Sequence, residues 1–323
     1  MTSAPAQTET PPETPPGTPP GAKAPAAPDR AARRAERKLR KLSEQDTVPY
    51  GMRPTRAGRI GRAVLLTVAA LVTIFPFYAM VVLSLKPSAA VEFPGSLLPW
   101  PLTGEAYDTV MNAQDVPRWL VNTLVYSVVS VVGVLLLASL AGYAFAKKRF
   151  PGRETMFWSF LSMVMVPYHV TMIPTFAMIA KLGGVDTYWG LIVPTLANAQ
   201  AVFLMRQFIQ GLPDELFEAA RLDGCNEWQI FYRIVLPLLK PILATLGVFV
   251  FLWHWNDFLW PLVIGQSTDM RTLTVGIASL QQQNVPLNVV LSGSVIAFVP
   301  IFAAYMVGQR YFTEGVTASG IKG

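Results

Sequence analysis

WLVNTLVYSVVSVVGVLLLASLAGYAFA, residues 119–146, is followed at once by Lys147-Lys148-Arg149. The run carries no charged side chain, and a bilayer core about 30 Å thick needs about 20 mostly apolar residues of helix. It can therefore cross a membrane, and the basic cluster behind it marks a cytoplasmic exit. Five further runs have the same character, at residues 63–85, 157–180, 188–208, 241–264 and 289–311. The fold class expected is an all-α membrane protein with six transmembrane helices. Composition agrees. Of the 323 residues, 52% are hydrophobic and 14% charged, and mean hydropathy is +0.39, whereas a soluble domain carries roughly 25% charged residues. Pro76, Pro167, Pro174 and Pro300 fall inside the runs and are expected to kink them, because neighbouring helices can satisfy the freed carbonyls.

The charges orient the spans. With the amino terminus in the cytoplasm, Lys86, Arg118, Lys181 and Arg271 alone among the 26 Lys and Arg lie outside. This asymmetry predicts a multi-pass protein of the bacterial cytoplasmic membrane with both termini inside. Residues 1–57 read as a disordered Pro/Ala-rich and then basic cytoplasmic tail, and residues 58–323 as the membrane domain. Residues 1–28 hold nine of the 27 prolines and no apolar period that could offset ordering entropy. The tail does not read as a secretory signal, since its basic residues precede the first apolar run and follow the proline-rich part. Eleven Lys or Arg between Arg30 and Arg62 sit directly before that run, as suits a flank on anionic lipid better than a nucleic-acid arm.

Several chemistries are unsupported. Cys225 is the single cysteine, and His169 and His254 are the two histidines, so a disulfide or zinc centre is not expected. No Gly-x-x-x-x-Gly-Lys-Ser/Thr loop is present, so no nucleotide site is expected. No convergent nucleophile, base or metal set appears, and neither an enzyme nor a cofactor is predicted. The external segments read as solvated connectors or as a docking surface. One, residues 86–118, carries Glu92, Glu105, Asp108 and Asp115; the other, residues 265–287, ends near Gln281-Gln282-Gln283-Asn284.

The internal loop at 212–237 has more structure. Pro213 suits a first helical position, and Asp214 and Glu215 place negative charge at the positive end of the helix dipole. Gly224 can close that helix in the left-handed conformation. Asn226 with Gln229 has capping-box spacing for a second helix, and Leu236-Pro237 is expected to end it. The result is a helix-turn-helix in which Ala219-Ala220 leaves room for another protein and Glu218 and Asp223 supply fixed charge.

These residues carry a resemblance. Glu218-Ala219-Ala220, then Gly224, then Ile234-Val235-Leu236-Pro237, with Asp223, resembles the signature of the membrane subunits of bacterial ATP-binding-cassette importers. Trp255-Asn256-Asp257-Phe258-Leu259-Trp260-Pro261-Leu262, Arg271-Thr272-Leu273-Thr274-Val275-Gly276 and Gln309-Arg310-Tyr311-Phe312, followed by Gly315, Thr317, Ala318 and Lys322-Gly323, make the chain similar to the second permease of maltose-type sugar importers over about residues 58–323. Cys225 stands where that family often has alanine. The resemblance implies a type I importer permease fold, with loop 212–237 seated in a cleft of a cytoplasmic ATPase dimer. It also implies a second permease subunit as partner, an external solute-binding protein that Gln281, Gln282, Gln283 and Asn284 would touch, and a tail at 313–323 reaching the ATPase. ATP hydrolysis would then lie on a separate subunit. A similar importer for glycerol phosphate or polyamine is the alternative, although charged solutes ask for countercharge that the spans lack.

Asp257 is an acid inside an apolar run, which marks a functional position. Counted up a continuous fifth helix it lies about 22 Å from the inner end. There it lines the pathway or the permease partner together with Trp255 and Asn256, or it belongs to an interfacial aromatic belt with Trp253 and Trp260. His254 and His169 read as packing or hydrogen-bonding residues. A proton-coupled transporter would need more intramembrane titratable groups than Asp257 and His254.

Overall fold

The computed structural model describes residues 56–88, 97–98, 100–112 and 115–319. The disordered tail and basic flank expected before residue 56, Glu92, and the end of the carboxy-terminal tail at 320–323 lie outside the described residues. The chain divides into two compact units, residues 1–71 and 72–323. Described residues 56–71 of the first unit are helical throughout and belong to α1, Arg56–Ser84.

In chain order there follow α2 (Glu105–Asn112), α3 (Val116–Lys147), α4 (Arg153–Ser162) and α5 (Tyr168–Lys181). Next come α6 (Tyr188–Ile192), α7 (Ala199–Gln210), α8 (Asp214–Leu222), α9 (Glu227–Ile230) and α10 (Leu236–Leu238). The last four are α11 (Lys240–Trp255), α12 (Leu259–Ile264), α13 (Leu273–Gln282) and α14 (Leu287–Ser319). Among the described residues no strand occurs.

Among the described residues, three helices are long and apolar enough to cross a membrane: Arg56–Ser84, Val116–Lys147 and Leu287–Met306. Three bent pairs bring the number to six if each is one span. They are Arg153–Met165 with Tyr168–Lys181 at 102°, Tyr188–Thr195 with Ala199–Gln210 at 46°, and Glu227–Leu238 with Lys240–Trp255 at 74°. The prolines act differently from one another. Pro76, Pro174 and Pro300 lie within continuous helices. Pro167 instead separates two, because Val166 before it is extended, at φ −82° and ψ 118°, as sterics with the proline ring favour.

Centrally placed α3 packs most extensively on α7 and α11. Its buried face repeats at helical spacing through Trp119, Thr123, Tyr126, Ser130, Val134, Ala138 and Gly142. Small residues on this face bring backbones together. A Cβ on Gly142 would lie 2.7 Å from Cβ of Met205 on α7. Three apolar clusters result. One, at the Lys147 end of α3, joins Val134 and Tyr143 to Met205, Ile209, Phe217, Ala220, Ile230 and Val235. Another, at the Val116 end, surrounds Trp119 and Trp255 with Leu273, Leu280 and Val290. The third holds Tyr126, Leu191, Trp260 and Ile264.

Two sequence expectations change here. The run at 241–264 is not one helix: α11 stops at Trp255 and α12 begins at Leu259. At the end of α11 Asn256 donates to Leu252 O from both its backbone N, at 3.1 Å, and its side-chain Nδ2, at 2.8 Å. Asp257 therefore sits in a helix break, and its height cannot be counted along a continuous span. Nor is segment 265–287 a plain connector. It folds as a short turn and α13, whose Leu273, Val275, Gly276 and Leu280 are buried. Asn122 Nδ2 on α3 donates to Asp269 O at 2.7 Å and Arg271 O at 2.8 Å, and Leu273 N donates to Thr123 Oγ1 at 2.8 Å.

Candidate functional site

The loop between α7 and α11 forms a two-helix knob. Asp214 and Glu215 occupy the first turn of α8. That helix ends as a Schellman motif, with Cys225 N donating to Ala220 O at 3.0 Å and Gly224 N to Arg221 O at 3.1 Å. Gly224 has φ 76°, which glycine adopts without a Cβ penalty. Asn226 and Gln229 close both bonds of the capping box, at 2.9 and 2.8 Å.

One local expectation fails: the second helix does not stop at Leu236-Pro237. Residues Phe231–Val235 form a π-helical turn, and Leu236 N–H donates to Phe231 O, five residues back. This wider turn carries the Arg233 carbonyl out of the Pro237 ring's path, so the helix continues to Leu238 before bending. Leu236 is helical at φ −58° and ψ −42°.

The knob has an inner and an outer face. Phe217 and Ala220 are buried against the chain's own core, while Glu218, Ala219, Asp223 and Gly224 are exposed. Ala220 is thus unavailable to another protein, and the two alanines serve opposite faces. Ile234 and Leu236 are half-buried and Pro237 is exposed. Two residues that sequence reasoning passed over stand furthest out: Leu222 is 89% exposed and Trp228 is 68% exposed. Exposed large apolar side chains on an otherwise polar surface suit protein contact. Helical spacing alone could not separate them from core residues.

The knob is tied to α3 by charge. Lys147 Nζ donates to Asp214 Oδ1 at 2.6 Å and to Leu212 O at 2.8 Å, and lies 4.8 Å from the Phe217 ring centre. Lys148 pairs with Glu227, whose Oε2 also accepts from Tyr143 O–H at 2.9 Å. These bonds hold both carboxyls below the usual carboxylate range, Asp214 chiefly through its hydrogen bond from Lys147 and Glu227 chiefly through Lys148. A depressed carboxyl contributes above its unfolded pKa and loses that contribution as pH falls through the folded one. The protection of residues 214–230 against hydrogen exchange, relative to the intrinsic rate at each pH, should therefore hold from pH 7 to about pH 4, the unperturbed carboxylate range, and fall only below it. A fall in protection already at pH 6 would contradict the pairing.

At the helix break, Tyr126 O–H donates to Asp257 Oδ2 at 2.8 Å and Thr274 Oγ1 to Asp257 O at 2.8 Å. Trp255 is buried, with Nε1 donating to Ala297 O at 3.1 Å, so it packs inside the chain and faces no partner. Asn256 is exposed. Trp260 is buried and donates to Leu191 O at 3.0 Å, whereas Trp253 is 48% exposed. His254 is buried between Val250 O at 2.8 Å and Thr195 Oγ1 at 3.1 Å, as a packing residue would be. His169 is exposed and meets the Tyr168 ring edge-on. Gln281, Gln282, Gln283 and Asn284 are exposed at the end of α13, where Asn284 turns the chain with φ 54°. Among the described residues no cluster of His, Cys, Asp or Glu could hold a metal ion.

Residues 134–317, which include the whole knob, match the family model described as binding-protein-dependent transport system inner membrane component. The chain belongs to this family. As such a permease it is a non-catalytic membrane subunit, with the ATPase on a separate chain. It is 39% identical over 259 residues to the arabinooligosaccharides transport system permease protein AraQ of Halalkalibacterium halodurans, covering 79% of this chain and 93% of that one. Identity to the sn-glycerol-3-phosphate transport system permease protein UgpE of Yersinia enterocolitica is 35% over 266 residues, covering 79% and 95%. Among solved structures, a bacterial ABC transporter involved in the import of the acidic polysaccharide alginate has a chain with TM-score 0.73 and 28% identity, covering 82% of this permease and all of that chain. The proton-coupled reading falls with this membership.

Proposed function

We propose that this permease is one of two membrane subunits of an ATP-driven sugar importer and transmits ATPase movement through the knob at 212–237. The observation that carries the reading is the division of that knob. Phe217 and Ala220 anchor it inward, while Glu218, Ala219, Leu222, Asp223 and Gly224 face out, as does Trp228, which is 68% exposed although its ring meets Phe231 edge-on. An ATPase cleft supplies that partner on the cytoplasmic side. Both termini then lie in the cytoplasm, in line with the charge asymmetry, and the carboxy-terminal tail extends towards the ATPase. On the opposite side Gln281 to Asn284 meet the solute-binding protein.

An oligosaccharide is the substrate class favoured, supported by the arabinooligosaccharide and alginate relatives. The UgpE relatives favour glycerol phosphate as the second reading. Proteoliposomes holding the full importer and its binding protein would separate them: ATP-dependent uptake of labelled oligosaccharide supports the first, and uptake of glycerol phosphate alone replaces it with the second.

Asp257, half-buried at the helix break, is read as a pathway-lining acid because an acid inside an apolar run marks a functional position. Asp257→Asn keeps the shape and an acceptor for Tyr126, so the fold should persist while uptake falls several-fold with the ATPase still bound. Unchanged uptake would assign Asp257 to structure alone.

A further inference from the structure

The positive cluster after α3 has a geometry that a membrane-orientation signal does not require. Lys147 and Lys148 point at different parts of the knob, one to each helix. Lys147 grips the start of α8 through Asp214 and the Leu212 carbonyl. Lys148 grips the start of α9 through Glu227, which Tyr143 also holds from one turn back on α3. The Lys147 side chain is only 9% exposed although its partner Asp214 is 77% exposed, so the cation is seated in the scaffold and the acid comes to it. Exposed ion pairs add little to stability. Two pairs radiating from the last residue of α3 and from the extended residue that caps it nevertheless fix position and angle together, as a single pair cannot.

We infer that Lys147, Lys148, Tyr143, Asp214 and Glu227 form a transmission clamp that locks the knob to the end of α3, so that a push on the knob moves α3 as one body. The clamp rests on the coupling role proposed above. It makes these positioning residues, which act through the orientation of the knob. With the clamp open, the ATPase stays docked through the outer face, but its closure is absorbed by hinging at the loop ends, near Gly211 and Leu239. ATP is then hydrolysed without a matching movement of α3.

The experiment uses the complete importer in proteoliposomes, with solute uptake and phosphate release measured on the same sample and ATPase retention scored by co-purification. Lys148→Gln should keep the ATPase, keep or raise phosphate release, and lower solute moved per ATP about tenfold. Tyr143→Phe, which removes one hydroxyl and leaves the packing, should lower the ratio two- to threefold. Lys148→Arg, which keeps a cation for Glu227, should retain most of it. An unchanged ratio in both Lys148→Gln and Tyr143→Phe overturns the clamp, and so does a loss in Lys148→Arg as deep as that in Lys148→Gln. Loss of the ATPase in Lys148→Gln also overturns it, because the residue would then belong to docking. If the wild-type importer retains no ATPase at all, the coupling reading itself fails, an outcome distinct from any of these.

Discussion

Gly224→Asp should leave the amount of this permease in the membrane unchanged and abolish retention of the ATPase, with uptake falling at least about a hundredfold. Little opposes the substitution within the chain. A Cβ at this position meets nothing within 4 Å, and Asp tolerates the left-handed backbone at a cost of about 1 kcal/mol. The knob's own closure, with its two Schellman bonds, uses backbone atoms only. The effect is therefore expected at the docking face, where a second carboxylate beside exposed Asp223 would be carried into a protein contact. Like-charge juxtaposition in an interface costs several kcal/mol, and each 1.4 kcal/mol is about tenfold in affinity. Gly224→Asn, equal in size and neutral, should retain a measurable fraction of binding. Normal uptake by Gly224→Asp would remove the docking assignment.

Gly276→Ala is expected to have the largest effect on folding. A Cβ there would lie 2.0 Å from the Trp119 ring and cannot be accommodated by a flexible side-chain end. Trp119 is buried, and its Nε1 donates to Thr268 O at 3.2 Å, so moving the ring also breaks one of the bonds between α3 and the turn before α13. Overpacking a filled core costs about 1–3 kcal/mol and occasionally more, and the indole N–H of buried Trp119 left without its acceptor adds about 1–3 kcal/mol. A clear drop in the melting temperature of the detergent-solubilised protein is the expected result. Combining Gly276→Ala with Trp119→Leu should cost less than the sum of the two, because both act on one contact. An unaltered melting temperature for Gly276→Ala would show that the ring moves freely.

The parts of the fold governed by local rules were legible in the sequence. Apolar length gave the long helix α3 and the order of the apolar segments, and the cap residues gave the knob: Asp214, Gly224, Asn226 and Gln229 each act as their residue type and spacing predict. What sequence could not show was direction. Ala219 and Ala220 are adjacent and chemically identical, yet one faces out and the other into the core, and that depends on how α8 lies against Tyr143 and Met205. The interruption at Asn256 was hidden for a related reason. The run stays apolar to Ile264, and hydropathy does not mark the end of α11 at Trp255. The proline rule misplaced the end of the second knob helix, because Leu236 keeps the helical conformation that the rule disfavours. Lys147 and Lys148 were read by sign alone. Their partners lie 67 and 79 residues further on, at Asp214 and Glu227, and only the packed chain brings them together.

The central claim is that this permease works as a coupling subunit between a cytoplasmic ATPase and a second membrane subunit. Affinity purification of the chain from native membranes in mild detergent, with mass spectrometry of everything retained, tests it most directly. The account predicts a second permease and an ATP-binding-cassette ATPase in the wild-type sample. Recovery of the chain alone or with copies of itself, and no ATPase even after crosslinking, would contradict it.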